Sequence, residues 1–143
     1  MKILTKDVYM LMQRVGNLFK REDKIELDSI MNEYYNHISE TENKLPKEKH
    51  ELFNLHDSKL IRLLSNNNSI EMLIDSENSY TDVHKLIFSN VSKYNFNMSL
   101  VNAWILYSEL YIEKGQYNFQ LLLYIEENTV LEIQIISDDI SLL

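Results

Sequence analysis

Between Trp104 and Ile136 the chain alternates apolar and polar or aromatic residues with a period of two, in three runs separated by short polar breaks. A strand sends successive side chains to opposite faces, so this pattern specifies ribbons with one face turned to a core. The first run, Trp104–Glu113, is expected to place Trp104, Leu106, Leu110 and Ile112 inward. Ile105, Tyr107, Glu109, Tyr111 and Glu113 then point outward. In the return run, Tyr117, Phe119, Leu121, Leu123 and Ile125 are inward, with Asn118, Gln120, Leu122 and Tyr124 outward. The third run, Thr129–Ile136, turns Leu131, Ile133 and Ile135 in and Val130, Glu132 and Gln134 out. Lys114-Gly115-Gln116 supplies one turn, with glycine where a positive φ is needed, and Glu126-Glu127-Asn128 a second. Connections this short force antiparallel neighbours. A one-residue slip would exchange the faces, so the register of this meander is strongly specified.

Upstream, the apolar period changes to that of helices. Thr5 is placed to cap a helix running to about Arg21, with Val8, Leu11, Met12, Val15, Leu18 and Phe19 on one stripe. Asp23 and Glu26 have the spacing of a capping box for a second helix. Its stripe is Leu27, Ile30, Met31, Tyr34 and Ile38, and it is expected to end in the polar stretch Glu40–Lys44. Pro46 suits the first turn of a short helix from Lys47 to about Phe53. Strands are then expected over Asp57–Leu64, Ser69–Asp75 and Val83–Val91, with loops at Ser76–Thr81 and Lys93–Asn102. The sum is an α+β chain with two or three amino-terminal helices (about residues 5–54). They pack on an antiparallel sheet of about six strands (about 57–137), all within one domain of 143 residues.

Composition narrows the chemistry. Without cysteine there is no disulfide, thiolate metal site or cysteine nucleophile. The two glycines, Gly16 and Gly115, are too few for a phosphate-cradling loop, and no Gly-x-Ser-x-Gly elbow occurs. No apolar run reaches the length of a membrane span. Lys2, Lys6, Asp7 and Arg14 interrupt the amino-terminal apolar residues, which argues against a signal peptide. A cytoplasmic protein is expected. The net charge of −8 disfavours nucleic acid and favours a basic partner.

Two sets of residues are candidates for function. His56 beside Asp57, at the entry to a strand, has the makings of a general base or a metal ligand, although neighbours on a strand face opposite ways. A structural role, capping the short helix, explains the same residues. His37, His50, His56 and His84 fall in no metal-binding spacing, so no metal or other cofactor is expected. Asp138-Asp139 reads as a solvated tail. The second set is the outward face of the meander: Tyr107, Glu109, Tyr111, Gln120, Tyr124 and Glu132. Tyrosines ringed by acids and amides have the composition of a protein-binding surface. A sheet face covered by the helices is the competing explanation.

Thr5-Lys6-Asp7-Val8-Tyr9 with Met12-Gln13, Leu55-His56-Asp57, and Trp104 with Tyr107 and Glu109 together resemble an uncharacterised bacterial domain family. Its members open with a Thr-Lys-x-x-Tyr helix and close in a Trp/Tyr-rich meander. Ser108 stands where that pattern has an acid. The resemblance implies the fold and transfers no catalytic residue. A small acidic α+β chain with this Leu-His-Asp step also resembles immunity proteins of bacterial toxin systems. The leading expectation is therefore a non-enzymatic module that binds, and neutralises, a basic protein. A hydrolase or metal-dependent enzyme centred on His56 and Asp57 is the alternative, and a homodimer assembled through an edge strand or the helical layer is a third.

Overall fold

The computed structural model describes residues 1–126 and 129–143. Two helices come first, α1 (Lys6–Leu18) and α2 (Arg21–Glu42), then a 3₁₀ helix, Lys47–Phe53. Eight strands follow: β1 (Lys59–Asn66), β2 (Ser69–Asp75), β3 (Lys85–Ser89), β4 (Lys93–Tyr94), β5 (Ala103–Glu113), β6 (Gln116–Glu126), β7 (Thr129–Ser137) and β8 (Asp139–Leu142). Among the described residues the sheet is antiparallel, as expected, but has eight strands and not about six. β4 lies in the expected loop at Lys93–Asn102, and β8 takes up residues expected to be tail.

The eight strands lie along six ribbons. Their order is β4-β7-β6-β5-β1-β2-β3-β8. β3 pairs with β8 up to Ser89↔Asp139, and β4 pairs with β7 from Lys93↔Ile136. Between these ladders Asp138 N–H donates to Ser89 O (3.0 Å) and Ser92 N–H to Ile136 O (2.9 Å). β3 with β4 and β7 with β8 therefore form one continuous pairing that joins the two ends of that order, and the sheet closes on itself as a barrel. Asn90, with φ of 52°, makes the kink that splits the first of these ribbons. β1 and β5 share only a short ladder, Lys59↔Trp104 and Leu60↔Ala103. Closure leaves few unpaired edges of the kind that edge-to-edge association requires.

The barrel interior is one apolar cluster. It takes Leu60, Met72, Leu86, Phe88, Ile105, Leu110, Phe119, Leu121, Leu123, Ile133 and Ile140 from the strands, and Leu52 and Leu55 from the 3₁₀ helix and the turn after it. Ser108 Oγ donates to Leu52 O (2.7 Å), which ties the 3₁₀ helix to β5. Lys49 reaches Asp139 (2.7 Å) and ties it to β8. Asp139 is thus an ion-paired strand residue; the hydrogen bond from Lys49 holds its carboxyl below the ordinary value.

α1 and α2 pack outside the barrel, where Leu4, Val8 and Tyr34 are buried with Leu27, Ile30, Met31 and Tyr107 around them. Thr5 caps α1 as expected, its Oγ1 accepting from Val8 N–H (3.3 Å). α2 starts earlier than expected, at Arg21. Lys20 precedes it without a side-chain cap, so Asp23 sits in the first turn, where its charge suits the helix dipole, instead of forming a box with Glu26. α2 also runs on to Glu42, through residues expected to be a loop. The 3₁₀ helix has the expected bounds, with Pro46 at its N-cap position.

In β6 and β7 the expected faces hold for Phe119, Leu121, Leu123, Ile133 and Ile135, which are interior, but not at the start of β7, where Leu131 is 38% exposed and Val130 is buried. In β5 they do not hold throughout. A bulge between Ile105 and Tyr107 shifts the register against β6. Ahead of it the interior residues are Ala103 and Ile105, while Trp104 is 39% exposed. A bulge puts two residues opposite one, so face parity changes across it. Beyond it Ser108 and Leu110 are buried, and Ile112 is exposed. The β5–β6 turn is the two-residue pair Lys114-Gly115, with φ of 52° and 76°. Two positive φ values are what a type I′ hairpin requires. Of the second expected turn, Glu127 and Asn128 lie outside the described residues.

Candidate functional site

The outward face of β5 and β6 is polar, and the chain folds its own amino terminus onto it. Glu109 on β5 is fully buried. Its carboxylate accepts hydrogen bonds from the backbone N–H groups of Lys2 (3.1 Å), Ile3 (3.0 Å) and Leu4 (2.7 Å). Tyr111 OH donates to the same carboxylate. A buried charge is tolerated only when such donors replace its water, and three successive N–H groups converging on one anion achieve this. A second carboxylate, Glu132 on β7, accepts from Lys6 N–H (3.0 Å) at the start of α1, where the helix dipole favours negative charge. Residues 2–6 form a strap held on the barrel by two acids.

The six residues expected to form an open surface are therefore not one patch. Glu109 and Gln120 are cross-strand neighbours and both are buried. Gln120 Nε2 donates to Asn118 Oδ1 (3.1 Å), which also accepts from Gln134 Nε2 (2.9 Å). Tyr107 is half-buried, edge-on to Tyr34 at 6.1 Å and stacked on His56 at 5.2 Å. Tyr34 OH donates to Ser108 O (2.8 Å). Burial pushes the hydroxyl pKa values of Tyr34 and Tyr107 up. Tyr124 belongs to a separate cavity with Lys6, Tyr9, Met10, Gln13, Asn17 and Val130. These residues lie on the outward side of the meander, and the centre of that side is covered.

His56 and Asp57 do come together. The φ of Asp57, 67°, breaks the strand alternation that would have separated them, and Asp57 Oδ2 lies 3.5 Å from His56 Nε2. His56 Nδ1–H donates to Leu106 O on the bulge of β5, and the ring lies on Tyr107. Asp57 N–H donates to Ile105 O (3.1 Å), so the turn is pinned to β5 by both residues. This arrangement fixes the β1–β5 seam. Among the described residues no group of three or more His, Cys, Asp or Glu side chains is placed to hold a metal ion.

The open part of the face is a cleft between α2 and the outward side of β5. It consists of two adjoining cavities of about 590 and 470 Å³ that share His37, Glu40 and Tyr111. The first adds Lys2, Asn32 and Glu33, the second Lys44 and Glu113. His37 stacks on Tyr111 with ring centroids 4.4 Å apart, and its Nε2–H donates to Leu110 O (2.9 Å). Tyr111 is thereby fixed from both sides, its ring by His37 and its hydroxyl by Glu109. Burial, and then donation to Glu109, push its hydroxyl pKa up.

The ammonium of Lys2 lies in this cleft, 4.1 Å from the centroid of the Tyr111 ring and ion-paired with Glu113. The Lys2 hydrogen bond holds the Glu113 carboxyl below its ordinary value. The Tyr111 face and the Glu113 carboxylate seat that ammonium, with Glu33 and Glu40 further along the wall. Glu33, His37 and Glu40 are residues that the sequence reading missed as a group. Their spacing of four and then three does place them on one face of α2. Nothing along the chain distinguishes that stripe from an ordinary solvated one.

The chain is thus a small acidic barrel with a helical cover and a groove that holds its own Lys2 ammonium. The chain belongs to the family described as protein of unknown function (DUF4085), which it matches over residues 6–132. No curated protein and no solved structure matches it.

Proposed function

We propose that this is a non-enzymatic binding protein that takes a basic segment of a protein partner into the cleft between α2 and β5. The observation that supports the reading is the Lys2 ammonium seated on Tyr111 and Glu113, the position a partner's cation would take. Glu33 and Glu40 extend the negative wall, and the net charge of −8 would steer basic partners toward it. Neutralising a basic partner in this way is the behaviour of immunity-type proteins, and that is the role we assign.

The test is titration of the full chain with tetra-arginine, followed by amide chemical shifts. Shifts centred on His37, Tyr111 and Glu113, suppressed at about 0.5 M salt by Debye screening and absent with tetra-glutamate, are the expected result. Shifts spread evenly over the surface, or equal shifts with tetra-glutamate, would refute it.

A further inference from the structure

The strap and the cation it delivers are anchored separately. Residues 2–4 are held through their backbone, by N–H groups on the buried Glu109 carboxylate, with no contribution from the Lys2 side chain. That side chain is about half exposed (52%), and so is its partner Glu113 (44%). An exposed ion pair and an exposed cation–π contact are each weak. Lys2 can therefore leave its seat without unlatching the strap. The cleft walls do not depend on it either, since Tyr111 is fixed by His37 and Glu109.

From this we infer that Lys2 is an internal pseudo-ligand, which occupies the cation seat on Tyr111 and Glu113 until a lysine or arginine side chain of the partner displaces it. The inference rests on the cleft being the binding site and adds how that site is regulated. A basic partner meets a cleft that is mostly filled, and its apparent affinity falls by the fraction of molecules in which the seat is open. A weak intramolecular pair of this kind corresponds to a penalty of about three- to tenfold. The arrangement would select against single stray cations and favour a partner that also engages Glu33 and Glu40.

The experiment measures tetra-arginine affinity by calorimetry for the full chain and four variants. Lys2→Gln empties the seat and should bind about three- to tenfold more tightly. Lys2→Arg keeps an occupant and should match the parent chain. Lys93→Gln, on β4 and outside the residues that line the cleft, removes the same charge and should change affinity less than about twofold, which separates displacement from bulk electrostatics. Glu113→Gln removes the seat and should weaken binding. Equal or weaker binding by Lys2→Gln, with Glu113 still required, overturns the pseudo-ligand and leaves the cleft as the site. Tightening by Lys93→Gln equal to that by Lys2→Gln overturns it as well. Absence of binding by both the parent chain and Lys2→Gln removes the cleft reading and this inference together.

Discussion

Replacing Glu109 with alanine tests how the amino terminus is held. The carboxylate serves three backbone N–H groups and the Tyr111 hydroxyl. Hydrogen bonds to a charged group contribute about 1.5–3 kcal/mol each when their partners stay buried, and much less when water can replace the lost partner. Leu4 N–H lies in a buried bond and carries the full cost, about 2 kcal/mol by that scale. Lys2 and Ile3 N–H are only part-buried and, being rewetted, add about 0.5 kcal/mol each. Relief of the buried charge offsets part of this, and the lost methylenes offset the relief. The expected net loss is about 3 kcal/mol, or about 10 °C in Tm for a chain of this size. Urea unfolding gives the magnitude, and amide hydrogen exchange gives the location. Lys2, Ile3 and Leu4 should lose protection at once, while β6 loses only what the global stability loses. A Glu109→Ala chain within 0.5 kcal/mol of the parent, a margin set by the scatter of surface substitutions, with residues 2–4 still protected, would refute the strap.

Trp104→Ala should cost about 1 kcal/mol and Ile105→Ala about 3, because the bulge leaves Trp104 partly exposed and Ile105 1% exposed; the reverse order in denaturant unfolding would contradict the register. Gly115→Ala should lose about 1–2 kcal/mol through its φ of 76° alone, since a Cβ there meets nothing within 4 Å, and Gly115→Asn should lose less. Tyr34, Tyr107 and Tyr111 have folded pKa values above their ordinary value of 10.0, so their contribution to stability is full below about pH 10. Above that pH the unfolded chain ionises first and stability falls, at up to about 1.4 kcal/mol per pH unit for each tyrosine. Phenylalanine at position 34 should flatten that alkaline slope. Light scattering should give the 17.1 kDa monomer, since barrel closure leaves little free edge; a stable dimer would point to another surface.

The sequence by itself determined the local geometry. Period-two alternation fixed β5–β7 and the interior residues Phe119, Leu121, Leu123, Ile133 and Ile135, because one buried face tolerates no slip. Gly115 marked the hairpin and Thr5 the start of α1. Tertiary structure decided what depends on contacts between distant residues. The bulge at Ile105–Tyr107 sets which half of β5 faces inward, and it has no signature in a string of alternating residues. Barrel closure joins β3 to β8 and β4 to β7 through pairs 41 to 56 residues apart. The same is true of the site. Glu109 reads as a surface acid until Lys2, Ile3 and Leu4 arrive from 105 or more residues away and turn it into a buried anchor. His37 and Glu40 on α2 read as a solvated stripe until Tyr111 is placed opposite them. Periodicity along the chain can report which side of an element avoids water, but not which partner arrives there, because that is fixed only when the whole core finds its lowest free energy.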